Sequence, residues 1–432
     1  MTPAKARLSA MMFLEFFIWG AWLPLIFGYL PSLGFTATQQ AWILNAFALG
    51  SFAAMFFSTQ FADRNFAAEK FVAFSHALGG IAILCLAWTK SFTPFFLLML
   101  VHCLLYVPTI SITNSIAFTH LKDAQKEFGR VRLWGTIGWI AASWPFVFVL
   151  VDWSKVPSLG ESGIIACLGA ALGTSKEGAA MQEATRYTFV AAGCASLLLA
   201  ALSCVLPHTP PKRAAEGAET FAWLEAMRLL KKPFVLVLFV VTFFDAAVHH
   251  CYFIWTGRFL TSPAVGIAGN WVMPVMSIGQ VAEIGTMALL GGVLKSLGWR
   301  TTMTLGVLGH AVRFAVFAFA PSPEAVVAIN LLHGVCYAFF FATVYIFVDE
   351  YFPKDARSSA QGLFNFLILG LGPFAANFVW TELGERHKVG ESYDFHSLFL
   401  VPSGVAFGAA LFLFLFFRPP VSAAAGSASP LH

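Results

Sequence analysis

Long apolar runs separated by short polar turns recur from one end of the chain to the other. An uncharged apolar run of 18 or more residues is long enough to cross the hydrocarbon core of a bilayer as a helix. Residues 8–30, 39–61, 70–90, 93–119, 131–152, 187–207, 233–256, 270–294, 301–320, 324–348, 358–380 and 396–417 are long and apolar enough to span. The pattern predicts an all-α polytopic membrane protein of twelve transmembrane helices. Its longest connection on one side, Pro207–Lys232, starts polar and proline-bearing and ends FAWLEAMRLLKK, an amphipathic stretch suited to a membrane surface. That connection divides the spans six and six. The expected organisation is an N-terminal six-helix bundle over 1–207, a linker over 208–232, a C-terminal six-helix bundle over 233–418 and a disordered tail over 419–432. On the other side, Val156–Arg186 is rich in Gly, Ala and Ser. Its apolar piece SGIIACLGAALG is too short to cross, and it reads as a surface lid or a partly ordered loop.

Composition agrees with this pattern. The 432 residues are 58% hydrophobic and 11% charged, with a mean hydropathy of +0.75, whereas a soluble domain is about 25% charged. The net charge of +4 is explained by loop topology, so no nucleic-acid partner is inferred. Eighteen of the 26 basic residues fall on one set of alternate loops and seven on the other, with Arg313 inside a span. The rule that basic loops stay inside places both termini in the cytoplasm. The opening MTPAKAR and its apolar run resemble a signal peptide, but no small-residue cleavage site follows, so a retained first span is expected. Cys85, Cys103, Cys194, Cys204 and Cys251 sit in apolar runs without metal-ligand spacing and read as small hydrophobes, with Cys167 and Cys336 left over.

The informative positions are polar groups inside the spans. Trp271–Arg300 carries Gln280 and Glu283 near its middle, three apart and so on one helix face. A carboxylate at that depth costs about 2.5–3.5 kcal/mol on insertion scales, which points to a water-filled, protein-lined cavity. The fifth span begins RLWGTIGWIAASW, stacking Arg132, Thr136 and Trp139 on one face. Arg132 alone would equally be an interfacial anchor. With Thr136 and Trp139 above it, the face suits a guanidinium that pairs with a carboxylate and an indole that stacks on a flat ring. The seventh span places Asp245, His249 and Tyr252 on one face, with His250 pointing elsewhere. Zinc signatures are absent, so hydrogen bonding to a polar solute or proton relay is favoured over metal binding. The tenth span adds His333 and Tyr337 one turn apart, with Asp349 and Glu350 at its cytoplasmic end. The first brings Glu15 near Trp19 and Trp22, close enough to the cytoplasmic end to snorkel. The fourth gives Tyr106, Thr109 and Asn114. In the ninth, His310 and Arg313 share a face and read as an inter-helix bond or anchor outside the pathway.

Six spans, an amphipathic linker and six more is the plan of the major facilitator superfamily. Between spans two and three, QFADRNFAAEK puts Asp63 and Arg64 as in that superfamily's loop G-x-L-x-D-R-x-G-R-K, although Gln60 stands near the expected glycine. The loop reads either as a charged turn or as a conformational latch in which Asp63 caps a neighbouring helix. More specifically, the chain resembles the bacterial nucleoside:proton symporters of the superfamily. The likeness is densest in FLEFFIWGAWL (Phe13–Leu23), YVPTISITNSI (Tyr106–Ile116), RLWGTIG (Arg132–Gly138), MSIGQVAE (Met276–Glu283) and RSSAQGLF (Arg357–Phe364).

The resemblance implies that Arg132, Thr136, Trp139, Gln280 and Glu283 line a nucleoside site. The chain departs where the family has Gln and Asn but this sequence has His249 and Tyr252. It departs again where the family has Tyr, then Phe-Asp, but this sequence has His333, then Tyr337-Ala338. Asp245 is a candidate replacement for the carboxylate missing at Ala338. The expected function is proton-coupled nucleoside uptake by alternating access, across the bacterial inner membrane and without a cofactor. Arg132, Thr136, Trp139, His249, Tyr252, Gln280, Glu283, His333 and Tyr337 would contact the solute. Glu283 would carry the proton, with Arg132 modulating it and Asp245 and Glu15 as alternative carriers. The partners would be the solute, a proton and the lipid bilayer, with the chain a monomer. The nearest rival is the same fold with another cargo, a sugar, nucleobase or drug-like heterocycle, possible also as an exporter. An enzyme is disfavoured by the lack of a nucleophile–base pair, and a sensor by the lack of an added soluble domain.

Overall fold

The computed structural model describes residues 3–54, 66–121, 124–211, 228–352, 354–390 and 392–419. Asp63, Arg64, most of the FAWLEAMRLLKK stretch and the tail beyond 419 lie outside the described residues.

Nine helical stretches among the described residues are long and apolar enough to cross a membrane. One of them, Gly269–Phe319, is two spans folded back at Gly298, whose φ of 71° only glycine adopts freely. Ala37–Ala53 falls just short of that length, and Ala124–Ser143 is diluted by Glu127, Arg130 and Arg132 in its first turns. The result is twelve spans. In order they are Pro3–Ser32, Ala37–Ala53, Ala68–Leu86, Phe92–His120, Ala124–Ser143, Tyr187–Ser203, Pro233–Leu260, the two arms of Val272–Phe319, Pro323–Tyr351, 354–386 and Phe395–Phe416. Outward-facing Leu236, Phe244, Val281, Leu289, Phe407 and Phe416 are exposed. In water such a band would be an aggregation liability, whereas in lipid it is the solvated surface.

Each half packs on itself. Span one lies against spans five and six, and span three against four and six. In the second half, span seven packs on eleven and twelve, and span eight on ten. Close approach needs missing side chains. A Cβ at Gly138 would overlap the Phe13 carbonyl, and one at Gly334 would lie 2.5 Å from Ala282 C, so these glycines bring spans one and five, and eight and ten, into backbone contact. The halves meet through spans two and eleven, one and seven, and five and eight.

Three features depart from the sequence reading. Spans ten and eleven are interrupted by π-helical turns at Tyr337–Ala342 and Phe366–Leu371, a form that concentrates at functional positions. A two-residue antiparallel ladder, Lys388–Val389 with Ser392–Tyr393, joins spans eleven and twelve. The 156–186 connection, expected as a surface lid or a partly ordered loop, is helical: it forms Leu159–Gly173, broken at Gly163 with φ of 74°, and Gly178–Thr185. Lys176 ties it down, its N–H donating to Leu150 O and its Nζ to Val149 O and Val151 O.

The halves are sealed on the face away from the basic loops. Arg258 Nη2 donates to Phe27 O at 2.7 Å and Gln40 Oε1 at 3.2 Å. Asn270 Nδ2 donates to Val147 O, Trp271 Nε1 to Leu172 O, and the Gly269 N–H to Ser175 Oγ. The capping helices are therefore part of the seal. Deeper in, His250 Nε2, Asn377 and Asn45 are linked in a chain of two 2.9 Å bonds that crosses between spans seven, eleven and two.

Candidate functional site

Between the halves lies a cavity of about 480 Å3, within the range of about 300–1,000 Å3 typical of small-molecule sites. A larger recess of about 620 Å3 lies at the sealed face between Leu172–Gly173 and Pro323–Ala328, but among the described residues Glu324 is its only charged lining group. The central cavity gathers polar groups from both halves. We therefore take it as the candidate site.

One wall comes from the first half. Arg132 on span five lies over the Phe16 ring at 3.8 Å, which fixes the guanidinium at the cavity's edge. Thr136 and Trp139 follow above it. Trp139 meets Trp19 edge-on at 5.2 Å, and Trp19 stacks on Phe47 at 4.7 Å. This gives a rigid aromatic corner. Asn114 adds a polar group whose Oδ1 is buried without a hydrogen-bond partner.

The opposite wall comes from the second half. Gln280 and Glu283 on span eight share the lining face. Gln280 Oε1 is buried and unpartnered. Arg132 on the facing wall attracts Glu283 through space, with no ion pair between them among the described contacts, and Tyr337 lies within the influence of both charges. His249, His250, Phe253, His333, Tyr337 and Phe341 complete this wall, and Tyr345 and Asn365 extend it toward the basic loops.

Eight of the nine residues expected to contact solute line this cavity: Arg132, Thr136, Trp139, His249, Gln280, Glu283, His333 and Tyr337. Tyr252 does not. It is fully buried behind the wall, with its ring 4.2 Å from the Arg313 guanidinium. Asp245 is likewise buried and bonds His310 at 2.7 Å instead of facing the cavity. His310 and Arg313, read from sequence as outside the pathway, sit directly behind it: His310 Nε2 is 3.2 Å from His249 Nδ1, and Arg313 Nη1 is 3.0 Å from His333 Nδ1. His250, expected to point elsewhere, also reaches the cavity because span seven passes along its edge.

Glu15 corrects the expectation of a snorkelling or pathway carboxylate. It is fully buried inside the first half. Its Oε2 lies 3.0 Å from His76 Nε2, and Thr109 Oγ1 donates to its Oε1 at 2.8 Å. Ser196 donates to His76 O, so His76 Nδ1–H donates to Ser196 Oγ and one proton is shared between His76 Nε2 and Glu15. Four spans are pinned by this group. The sequence reading missed His76, along with Asn45, Asn377 and Arg258. An isolated His or Asn inside an apolar run was the available signal, but its partner lies on a span that sequence alone does not bring near.

A family model described as "Nucleoside H+ symporter" matches residues 2–172 and 159–422. "Putative nucleoside transporter YegT" of Escherichia coli (strain K12) is 32% identical over 85% of this chain and 81% of its own. Xanthosine permease of the same organism is 25% identical over 95% of each. A crystal structure of a mutant of the nucleoside transporter NupG superposes with a TM-score of 0.81 at 23% identity, covering 96% of this chain and 100% of that one. With twelve spans in two bundles and a polar cavity between them, the chain is a multi-pass transporter of the major facilitator fold, and it belongs to the nucleoside H+ symporter family.

Proposed function

We propose that this protein takes up a nucleoside together with a proton across the bacterial inner membrane. The observation that carries the reading is Glu283: a carboxylate on the wall of a cavity between the halves, opposed by Arg132. Trp139, backed by Trp19, offers a face for the base. Gln280 and Asn114 hold hydrogen-bonding capacity that no protein group uses, and Tyr337 is within the same wall. Proton binding neutralises Glu283 and removes its attraction for Arg132. With solute bound, the halves rock: the Arg258, Asn270 and Asn45–Asn377–His250 contacts part while the opposite ends close. In that cycle the described contacts are the seal of the face away from the basic loops. His249 and His333 favour a second cargo within the same class, a heterocycle whose edge suits imidazoles better than amides.

The test is uptake of labelled uridine and adenosine into proteoliposomes with and without an inward proton gradient. Gradient-stimulated accumulation is expected, and Glu283→Gln is expected to abolish it while leaving solute exchange. Accumulation against a gradient by Glu283→Gln would remove Glu283 from the coupling role.

A further inference from the structure

Behind the second-half wall, three titratable side chains run in line from the cavity into the protein. His249 lines the cavity. Its Nδ1 is 3.2 Å from His310 Nε2, and His310 Nδ1 is 2.7 Å from Asp245 Oδ1. Asp245 and His310 are both fully buried, and Asp245 Oδ2 has no hydrogen-bond partner. Among the described residues these groups do not assemble into a metal site.

We propose that Asp245, His310 and His249 form a second proton site, which sets whether the cavity wall accepts or donates a hydrogen bond at His249. The proposal rests on the reading of proton-coupled uptake and adds a residue set and a solute preference to it.

Hydrogen-bond accounting gives the mechanism. A carboxylate only accepts, so His310 Nδ1–H donates to Asp245. In the unloaded state His310 Nε2 carries the lone pair, and His249 Nδ1–H donates to it. His249 Nε2 then faces the cavity as an acceptor. A proton arriving from cavity water binds His249 Nε2. The Nδ1 proton of His249 passes to His310 Nε2, making His310 an imidazolium against Asp245. One proton has entered, no other bond has changed, and His249 now presents Nε2–H to the cavity as a donor.

The neighbouring wall residue cannot switch. Arg313 is a donor only, so His333 Nδ1, 3.0 Å from Arg313 Nη1, must accept, and the His333 proton sits on Nε2. The two imidazoles have ring centroids 4.9 Å apart. The loaded wall therefore offers two adjacent N–H donors, and the unloaded wall a donor beside an acceptor. A base edge bearing carbonyl oxygens binds the loaded wall better. A base presenting an amino group binds the unloaded one.

The other titratable or charged groups around the relay are His250 on span seven, Arg313 on span nine, and His333 and Cys336 on span ten. Phe341 covers both His249 and His310, with ring centroids 5.2 and 6.4 Å away. Arg313 opposes the added charge, while Asp245 is in direct contact with the imidazolium that holds it.

The experiment uses the full chain in nanodiscs. Binding of uridine and adenosine is measured from pH 5.5 to 8 in Glu283→Gln, which isolates the second site, and in that variant with His310→Gln or Asp245→Asn added. In Glu283→Gln alone, uridine binding is expected to tighten by up to about tenfold per pH unit lowered within the titration window, with adenosine showing the opposite or no trend. Both added substitutions are expected to remove the dependence. Unchanged pH dependence in the two double variants, each checked for a cooperative melt, overturns the relay. A solid-state NMR titration of 15N-histidine in solute-free protein decides the matter separately. His249 and His310 are expected to shift together, and the His249 shift to be lost in His310→Gln. Independent titration of His249 sinks the proposal. If the wild type binds no nucleoside at any pH, the proposed cargo fails, and the NMR result still judges the relay.

Discussion

Removing the carboxylate of Glu15 tests whether the first half is held by its buried polar knot. In Glu15→Ala, His76 Nε2 loses the carboxylate at 3.0 Å and keeps only Thr109 Oγ1 at 3.1 Å, while Thr109 Oγ1 loses its acceptor at 2.8 Å and keeps only Tyr106 O, all in a fully buried setting. Breaking a buried pair from one side costs about 3–5 kcal/mol. If the six-span half of roughly 200 residues melts as a unit, each kcal/mol lowers its melting temperature by about 2–4 °C, giving a drop of roughly 6–20 °C. Glu15→Gln keeps an oxygen for Thr109 and an amide group toward His76, so a drop below about 5 °C is expected. The protein supplies its own reporter. Once the exposed Cys85, Cys194 and Cys204 are blocked, Cys103 and Cys167 are buried free thiols of the first half that a thiol-reactive dye meets only on unfolding. A Glu15→Ala melt within about 2 °C of wild type would refute the reasoning. Loss of gradient-driven accumulation in a stable Glu15→Gln would return Glu15 to the list of proton carriers.

Other outcomes follow from the same structure. Gly138→Ala forces a methyl into the Phe13 carbonyl and is expected to cost about 1–3 kcal/mol as overpacking, read in the same melt. Arg258→Gln removes charge-assisted bonds to Phe27 O and Gln40 worth about 1.5–3 kcal/mol. The population sealed at this face should fall about 10–150-fold relative to the one open there, measured by distances between spin labels across the sealed face. Asp394 caps span twelve, and hydrogen bonds from the side chain and then the backbone of Ser397 hold its carboxyl below the ordinary range. Because the folded value is depressed, its contribution is complete at neutral pH and is lost as pH falls through that value. Asp394→Asn should flatten the acid limb of the melting curve, and Asp394→Ala should cost about 1 kcal/mol at neutral pH.

The sequence made the spans legible because membrane crossing imposes length and apolarity locally, residue by residue. It also made most of the cavity wall legible. Glu283, Gln280, Arg132 and His333 are conspicuous in apolar surroundings, and helical spacing alone puts Arg132, Thr136 and Trp139 on one face. What it hid were partners. Whether Glu15 snorkels or is buried depends on His76 and Thr109, and whether Asp245 faces solute depends on His310, each reached only by tertiary packing. The π-helical turns at Tyr337 and Phe366 were equally invisible, since nothing in the local apolar pattern marks one extra residue per turn. The 156–186 connection was judged by its composition, but its order comes from Lys176 and from docking on Asn270 and Trp271.

The buried polar partners also bear on how the chain is made. Glu15 leaves the ribosome 61 residues before His76 and 94 before Thr109, and Asp245 leaves 65 before His310. At about 5–20 residues per second the first carboxylate waits roughly 3–12 s for its imidazole. During that interval, residence at the bilayer centre costs about 2.5–3.5 kcal/mol. Arg313 carries the same burden, with Nε and Nη2 still unpartnered in the finished fold. Spans one, seven and nine are apolar enough to enter lipid singly, but each carries that cost until its partner span docks. The cost is a driving force for assembly that apolar packing alone would not supply, and it favours pairing of span one with three and of span seven with nine as soon as both are in the membrane.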